Sequence, residues 1–303
     1  MKMNKKAGFT AIIGKPNAGK STLVNSMLGQ SLSIVTPKPQ TTRNKIFGIY
    51  TKDDVQIVFA DTPGILDPKY KLQVYMKKEI ESSFIEADVV ILVVDGASYS
   101  RDYLQEVFDT YKTQLENHKL FCVINKIDLI TNEVVLHIIS DISTNFKFDE
   151  IIPLSAYKNF NVAELVELIK KYLPEHEFYY DEEIIASQPE RFFVAELIRE
   201  TVLMMYSEEI PFSVFVDIDD YKERERGKDF IRASLIVEKD SQKKIIIGSK
   251  GSKIKRLGEH ARKKIEDFLG KSVFLELFVK VRKNWKNDED FLKHKFKSGT
   301  STL

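Results

Sequence analysis

The chain has 303 residues, 43% apolar and 30% charged, with 46 Lys and Arg against 45 Asp and Glu, a formal net charge of +1. This is the composition of a soluble globular chain with enough apolar material for two domains, and its balanced charge says nothing of a nucleic-acid partner until charge is read locally. One cysteine, Cys122, excludes an internal disulfide framework, no apolar run approaches the ~18 residues that span a membrane, and the basic start Met1-Lys2-Met3-Asn4-Lys5-Lys6 lacks the apolar centre of a signal peptide, so a cytosolic chain is expected.

In chain order, an apolar run at 9–13 predicts a strand. It leads into Gly14-Lys15-Pro16-Asn17-Ala18-Gly19-Lys20-Ser21 and then a helical pattern from Thr22 to about residue 28. G-x-x-x-x-G-K-[ST] between a strand and a helix is a phosphate-binding loop. Its glycines let backbone N–H groups close around phosphates, and the helix N-terminus adds partial positive charge. In such a loop Lys20 reaches the β- and γ-phosphates and the Ser21 hydroxyl takes Mg²⁺. Residues 31–43, with Pro37, Pro39, Thr41 and Thr42, read as an extended loop, because each proline biases its predecessor out of the helical region. Strand-like runs at 45–50 and 55–60 flank the charged turn Lys52-Asp53-Asp54, and the second of them is expected to make the antiparallel edge of the sheet. It ends in Asp61-Thr62-Pro63-Gly64. A carboxylate at a strand end can hold Mg²⁺ through its water shell, and a Gly64 N–H meeting a γ-phosphate would make this loop sensitive to nucleotide state.

A helical pattern at 72–85, a nearly all-apolar strand at 88–95, a helix at 103–116 and a strand at 120–124 continue the alternation, followed by one more helix, a strand at 151–154 and a helix at 162–172. Strands alternating with helices, the apolar ones covered on both faces, indicate a mostly parallel, doubly wound α/β sheet. The strand at 120–124 ends in Asn125-Lys126-Ile127-Asp128. The Asp128 carboxylate can accept from guanine N1–H and its exocyclic amino group together, whereas adenine offers neither donor and would leave that charge desolvated and unpaired. Lys126 can lay its methylene stem over the base plane, Asn125 can tie this loop to the phosphate loop, and Ser155-Ala156 would bring backbone N–H groups near guanine O6. These groups stand at successive strand ends, where open α/β sheets bind ligands.

Residues 8–173 therefore resemble the translation-factor-like GTPase domain. The forms of the phosphate loop and of Pro39-Gln40-Thr41-Thr42-Arg43 resemble those of its bacterial Era branch. The resemblance implies GTP, GDP and Mg²⁺ as ligands, Thr42 rather than Thr41 completing the Mg²⁺ shell, and catalysis through Lys20, Thr42 and Gly64. Ile65 stands where Ras-type GTPases carry the glutamine that orients the attacking water. The Era family is similar in this hydrophobic substitution, so slow turnover is expected. In related GTPases an asparagine matching Asn17 helps bind a K⁺ ion bridging the phosphates, which makes K⁺ a candidate second cation here.

Residues 174–189 break the rhythm with His176, Phe178-Tyr179-Tyr180 and Asp181-Glu182-Glu183. They read as a linker, which divides the chain into a GTPase domain (1–174), a linker (175–190), a second domain (191–285) and a basic tail (286–303). The second domain reads as a helix (192–206), two strands (212–217, 232–237), a short helix (243–247), Gly248-Ser249-Lys250-Gly251, a longer helix (252–269) and a strand (273–281). Between 243 and 271 ten Lys and Arg face three Asp and Glu, whereas 181–303 as a whole hold 25 against 23, so positive charge is focused on one segment. A Gly-x-x-Gly loop joining two helices in a basic run resembles an α+β prokaryotic-type KH domain, whose loop clamps the backbone of single-stranded nucleic acid. Gly248, Ser249, Lys250, Gly251, Lys253, Lys255 and Arg256 are the RNA-binding candidates. Trp285 with Lys283, Lys286, Lys293, Lys295 and Lys297 reads as a frayed, solvated terminus. The resemblance, over about 8–285, implies a monomeric GTP-hydrolysing switch that binds the 3′ end of small-subunit ribosomal RNA and assists small ribosomal subunit biogenesis, with a side role as a peripheral protein of the inner membrane face. The five histidines show no metal-ligand spacing.

Overall fold

The computed structural model of the chain describes residues 5–296; Met1, Lys2, Met3 and Asn4 of the basic start, and Lys297 of the expected tail, lie outside the described residues. Two compact units are present, one formed by the chain up to Pro68 with Gln73–Ser187, the other by Lys69–Leu72 with the chain from Gln188 onward.

The first unit is built on β1 (Lys6–Gly14), β2 (Ile46–Lys52), β3 (Val55–Asp61), β4 (Val89–Asp95), β5 (Lys119–Asn125) and β6 (Glu150–Pro153), in the order β2-β3-β1-β4-β5-β6. The helices are α1 (Lys20–Leu28), α2 (Lys71–Glu86), α3 (Arg101–Glu116), α4 (Asn132–Asn145) and α5 (Val162–Tyr172). Successive residues of a strand face opposite sides of the sheet, so one strand feeds two cores. Ile12 packs with Leu23, Phe59 and Leu165 on one face, and Ile13 with Ile80, Leu104 and Ile142 on the other. This is the doubly wound sheet that the alternation predicts. The chain runs from β1 to β2 and β3 on one side and returns to β4 on the other. The order therefore reverses at β1, and the carboxyl ends of β1, β3, β4 and β5 frame the crevice where such sheets take ligands.

The antiparallel edge is β2, not the 55–60 run to which it was assigned. β2 pairs antiparallel with β3, and β3 runs parallel to β1. The tight turn at Asp53-Asp54 fixes only the relative direction of β2 and β3. Which of the two lies inside is set by burial: six of the seven residues of β3 are buried, while β2 has an exposed end and partly exposed positions.

Residues 175–187 lie along this side of the first unit. Buried Gln56 on β3 accepts from the Tyr179 and Tyr180 N–H groups through Oε1 (2.9 and 3.0 Å) and donates through Nε2 to Tyr180 O (2.8 Å) and Thr51 Oγ1 (3.0 Å). Each such bond adds only about 1 kcal/mol net, but leaving a buried amide unpaired costs more than that. Phe9 meets Tyr179 edge-on at 4.8 Å between ring centres, and the Ile49 N–H donates to Ile185 O (2.9 Å).

The second unit comprises α6 (Glu190–Met205), α7 (Ile210–Ser213), β7 (Phe215–Lys222), β8 (Asp229–Val237), α8 (Asp240–Ile247), α9 (Ser252–Leu269), β9 (Val273–Val281) and α10 (Glu289–Phe296). β7 and β8 are antiparallel, and β8 and β9 are parallel. The strand expected at 212–217 starts at Phe215 because Pro211, whose fixed φ suits a helix start, begins a short helix that takes Phe212 and Ser213. Val194, Ile198, Leu257 and Ile265 fill the core between helices and sheet.

The C-terminal reading is overturned. Trp285 has no exposed surface, and its Nε1 donates to Ser213 O at 3.0 Å. Phe215 lies 5.4–5.9 Å, between ring centres, from Trp285, Phe291 and Phe296. Lys286 pairs with Glu238 (2.8 Å) and Lys295 with Asp217 (2.6 Å). The lysines drew attention to charge and hid a helix with an apolar face at Phe291, Leu292 and Phe296, all buried. Trp285→Ala should destabilise the second unit by roughly 3–5 kcal/mol, the usual cost of truncating a buried large aromatic. Urea unfolding followed by circular dichroism would show it as a transition at lower denaturant, and an unmoved midpoint would contradict the packing.

Candidate functional site

Two constellations emerge, one in each unit. In the first, Asp61 ends β3 in register with Ile12 of β1, two residues before Gly14. Lys20 opens α1, is 6% exposed, and donates to the Gly14 and Lys15 carbonyls (3.1 and 3.0 Å). Burial pulls its pKa down to about 8, against the neighbouring Asp61 charge. Asp61 is wholly buried and neither of its oxygens has a hydrogen-bond partner. Burial raises its pKa, while the nearby Ser21 and Ser33 hydroxyls and the Lys20 ammonium act in the other direction. Ser21 Oγ and Thr42 Oγ1 are hydrogen-bonded at 2.9 Å. Thr41 is engaged elsewhere, with Lys38 O (2.6 Å) and Thr36 Oγ1 (2.7 Å). Two hydroxyls and a buried carboxylate that no protein donor satisfies make a hard-oxygen set that fits Mg²⁺.

Around this point lies a cleft of about 400 Å³ bordered by Pro16, Lys20, Ser21, Thr22, Gly64 and Lys126. Thr62 Oγ1 donates to Ile12 O (2.6 Å) and Pro63 is buried, which leads Gly64 onto the phosphate loop. A Cβ on Gly64 would stand 2.6 Å from Pro16 N, so only glycine fits this approach. The Ile65 N–H donates to Gly14 O (2.9 Å), and its side chain packs against the core around Ile13 and Leu92. Asn17, at φ 64°, is exposed; its Nδ2 donates to Pro37 O (3.0 Å), which commits the nitrogen and not the oxygen of its amide.

At the far end, Asn125 Nδ2 donates to Ala18 O (2.9 Å), and Asn125 Oδ1 accepts from the Lys126 and Ala156 N–H groups (2.8 and 3.0 Å). Lys126 Nζ donates to Asn17 O and to Asp95 Oδ2, both at 2.7 Å. Ser155 Oγ donates to Asp128 Oδ1 (2.6 Å), which aligns the carboxylate. The Ser155 and Ala156 N–H groups donate to Phe160 O (3.1 Å) and to Asn125 Oδ1, which closes this loop. Asp95, which the sequence reading missed, anchors Lys126. Its signal was its position, closing an apolar strand at the same sheet edge.

In the second unit, α8 ends at Ile247 and α9 begins at Ser252. Gly248, Lys250 and Gly251 between them take φ of 70°, 48° and 78°. A Cβ on Gly248 would lie 2.6 Å from Lys253 Cγ, so a side chain there would push the loop off α9. α9 buries Leu257, Ala261 and Ile265, one turn apart, which leaves its opposite face to solvent. Ser249, Lys250, Lys253, Lys255 and Arg256 are exposed, and among the described residues none of these four cations has a carboxylate within 4.0 Å. Farther along, Arg262, Lys264 and Lys271 are paired with Glu266, Glu200 and Asp229. Four cations without a carboxylate partner therefore stand at the loop and the start of α9.

Comparison with known proteins matches residues 9–126 to the family described as a 50S ribosome-binding GTPase and residues 209–286 to the KH domain. GTPase Era of Clostridium kluyveri is 45% identical over 295 residues, covering 95% of this chain and 98% of that protein. The chain belongs to the Era family of GTPases. Solved Era structures agree throughout their length. Era in complex with MgGDPNP and nucleotides 1506–1542 of 16S ribosomal RNA, and an Aquifex aeolicus Era variant bound to GDP·AlF4⁻, each match with a TM-score of 0.91 and 38% identity, over 95% of this chain and 98% of theirs. As an Era-family member the chain is a GTPase with a P-loop α/β domain followed by a KH domain. No helix among the described residues is long and apolar enough to cross a membrane, and no group of three or more His, Cys, Asp and Glu among them forms a metal cluster.

The low pKa of Lys20 has a measurable consequence. At pH 8.5 its amine is mostly neutral before nucleotide arrives, and phosphate oxygens would recharge it, so binding takes up a proton. Calorimetry of GDP binding in magnesium-free buffers of different ionisation enthalpy should show uptake that grows from pH 7 to 8.5 and is largely lost in Lys20→Met. Affinity should fall as pH rises through about 8. Equal uptake in both proteins would remove Lys20 as its source.

Proposed function

We propose that this chain is a slow GTP-driven switch whose second unit binds the 3′ end of small-subunit ribosomal RNA, and that it serves small ribosomal subunit biogenesis in the cytoplasm. The observation that carries the RNA half is the set of four unpaired cations around a Gly-x-x-Gly loop held at positive φ. Small residues let a sugar–phosphate backbone approach, cations neutralise it, and the N-terminus of α9, which has no side-chain cap, offers N–H groups. The Era structure with 16S nucleotides 1506–1542 supports the choice of RNA.

In the first unit, Gly14 to Thr22 hold the phosphates and Lys20 neutralises the oxygens on which charge develops. Ser21, Thr42 and Asp61 would hold Mg²⁺, which when bound supplies further charge neutralisation at the phosphates. Asp128 selects guanine, with Asn125, Lys126, Ser155 and Ala156 fixing its loop, while Thr62, Pro63 and Gly64 set the nucleotide-sensitive contact. No polar side chain stands at position 65 to orient the attacking water, which accounts for slow turnover. Asn17, with its amide nitrogen committed to Pro37, is the residue to contribute an oxygen to K⁺.

Lys20→Ala should lower GTP turnover at least about a hundredfold without unfolding the chain, the scale of losing a charge-stabilising donor. Filter binding to RNA of the 1506–1542 sequence should be lost in a Gly248→Asp/Gly251→Asp variant that still hydrolyses GTP; equal RNA binding by both proteins would sink the KH reading. Turnover should be faster in KCl than in matched NaCl and lose that difference in Asn17→Ala, and equal rates in the two salts would end the K⁺ assignment.

A further inference from the structure

The chain leaves the first unit along a seam on its edge strand, a few residues beyond Thr42. Arg43 and Lys45, 2% and 9% exposed, are buried between Thr42 and the start of β2. The Lys45 N–H donates to Glu79 Oε2 and its Nζ to Glu86 Oε2, both at 3.1 Å, so the entry to β2 is fastened to α2, the helix that follows the Gly64 loop. Along β2 the segment leading to the second unit then pairs by backbone alone. Ile49 N–H donates to Ile185 O (2.9 Å), Gly48 bridges Ala186, and Ser187 N–H donates to Phe47 O (3.4 Å). Upstream, Gln56 grips the segment at Tyr179 and Tyr180 from an inner strand.

These two attachments differ in kind. The Gln56 grip is buried and rests on β3, which is locked between β2 and β1. The seam rests on an edge strand, held by a few backbone bonds, and such pairings open and re-register at low cost. A change in the loop bearing Thr42, or in α2, therefore has a path to residues 185–187 through β2 that is separate from the buried grip on residues 179–180. We infer that the seam between β2 and residues 185–187 is the relay by which nucleotide state governs RNA binding. This rests on the reading above, in which the first unit is a GTP switch and the second binds RNA. Coupling between two such sites typically amounts to 5- to 150-fold in affinity and is reciprocal.

The test has two arms. In the wild-type chain, amide hydrogen exchange at Ile49 and Ser187 should differ about tenfold or more between Mg–GDP and Mg–GDPNP, with the Tyr179 and Tyr180 amides unchanged as the fixed point. Equal protection of Ile49 and Ser187 in the two states overturns the relay, whatever the RNA result. In the second arm, Ser187→Pro removes one seam donor without touching either site. RNA of the 1506–1542 sequence is titrated into the full chain with each nucleotide. The variant should keep GTP turnover and bind RNA, but its GDPNP-to-GDP ratio of RNA affinities should collapse from about tenfold towards one. The RNA-induced change in GDPNP affinity should shrink by the same factor. An unchanged ratio overturns the relay, including the case in which the substitution weakens both states alike. If the wild-type chain binds no RNA while its seam amides respond to nucleotide, the RNA reading fails and the seam stands as a nucleotide-driven element.

Discussion

An ammonium and a carboxylate are buried together at the converging ends of β1 and β3, Asp61 wholly and Lys20 all but 6%, and the organisation of the first unit follows from that. Taking an ion out of water costs several kcal/mol even after relaxation, and Lys20 and Asp61 recover only part of it from each other. Lys20 is still drawn down to about 8 and Asp61 still pushed above the ordinary carboxylate range. An isolated protein optimised for stability alone would have neutralised such a pair or moved it to the surface. Its retention at the converging ends of β1 and β3 fits a site completed from outside, by phosphate oxygens against Lys20 and a hard cation against Asp61. A ligand that meets those charges binds only the folded arrangement of Ser21, Thr42 and Gly64 around them, and so would stabilise it by mass action.

Much of this was legible in the sequence because its elements are local. Phosphate loop, Asp-Thr-Pro-Gly and Asn-Lys-x-Asp each close an apolar strand, and a parallel sheet must bring such ends to one edge. What stayed hidden depends on contacts distant in sequence. Whether β2 or β3 forms the edge is decided by burial against β1, not by the turn between them. Asp95 anchors Lys126 across 31 positions, and Gln56 holds Tyr179 and Tyr180 across more than 120; neither residue belongs to a motif. Trp285 misled for another reason. A short amphipathic helix rich in lysine has the composition of a solvated tail, and only the cavity it fills, beside Phe215 and Ser213, distinguishes the two.

The second unit shows how charge focusing is achieved in a chain of near-zero net charge. Arg262, Lys264 and Lys271, in the later part of α9 and just beyond it, pair with carboxylates, while Lys250, Lys253, Lys255 and Arg256 have none within 4.0 Å among the described residues. Surface pairs of this kind contribute little to stability, so their effect is mainly on where positive potential remains. Four of the cations left unpaired stand beside a loop whose glycines hold positive φ. Affinity from lysines is salt-dependent and indifferent to sequence, so these four cations by themselves carry no discrimination among RNAs.

Ile65 connects these parts. A glutamine in its place would extend a polar group toward the cleft; isoleucine instead packs against the core around Ile13 and Leu92. Withdrawing it from that core would forfeit part of the roughly 1.5–3 kcal/mol that burying such a side chain gains. The packing that holds the Gly64 loop in place is therefore the same packing that leaves the attacking water without a side chain to orient it.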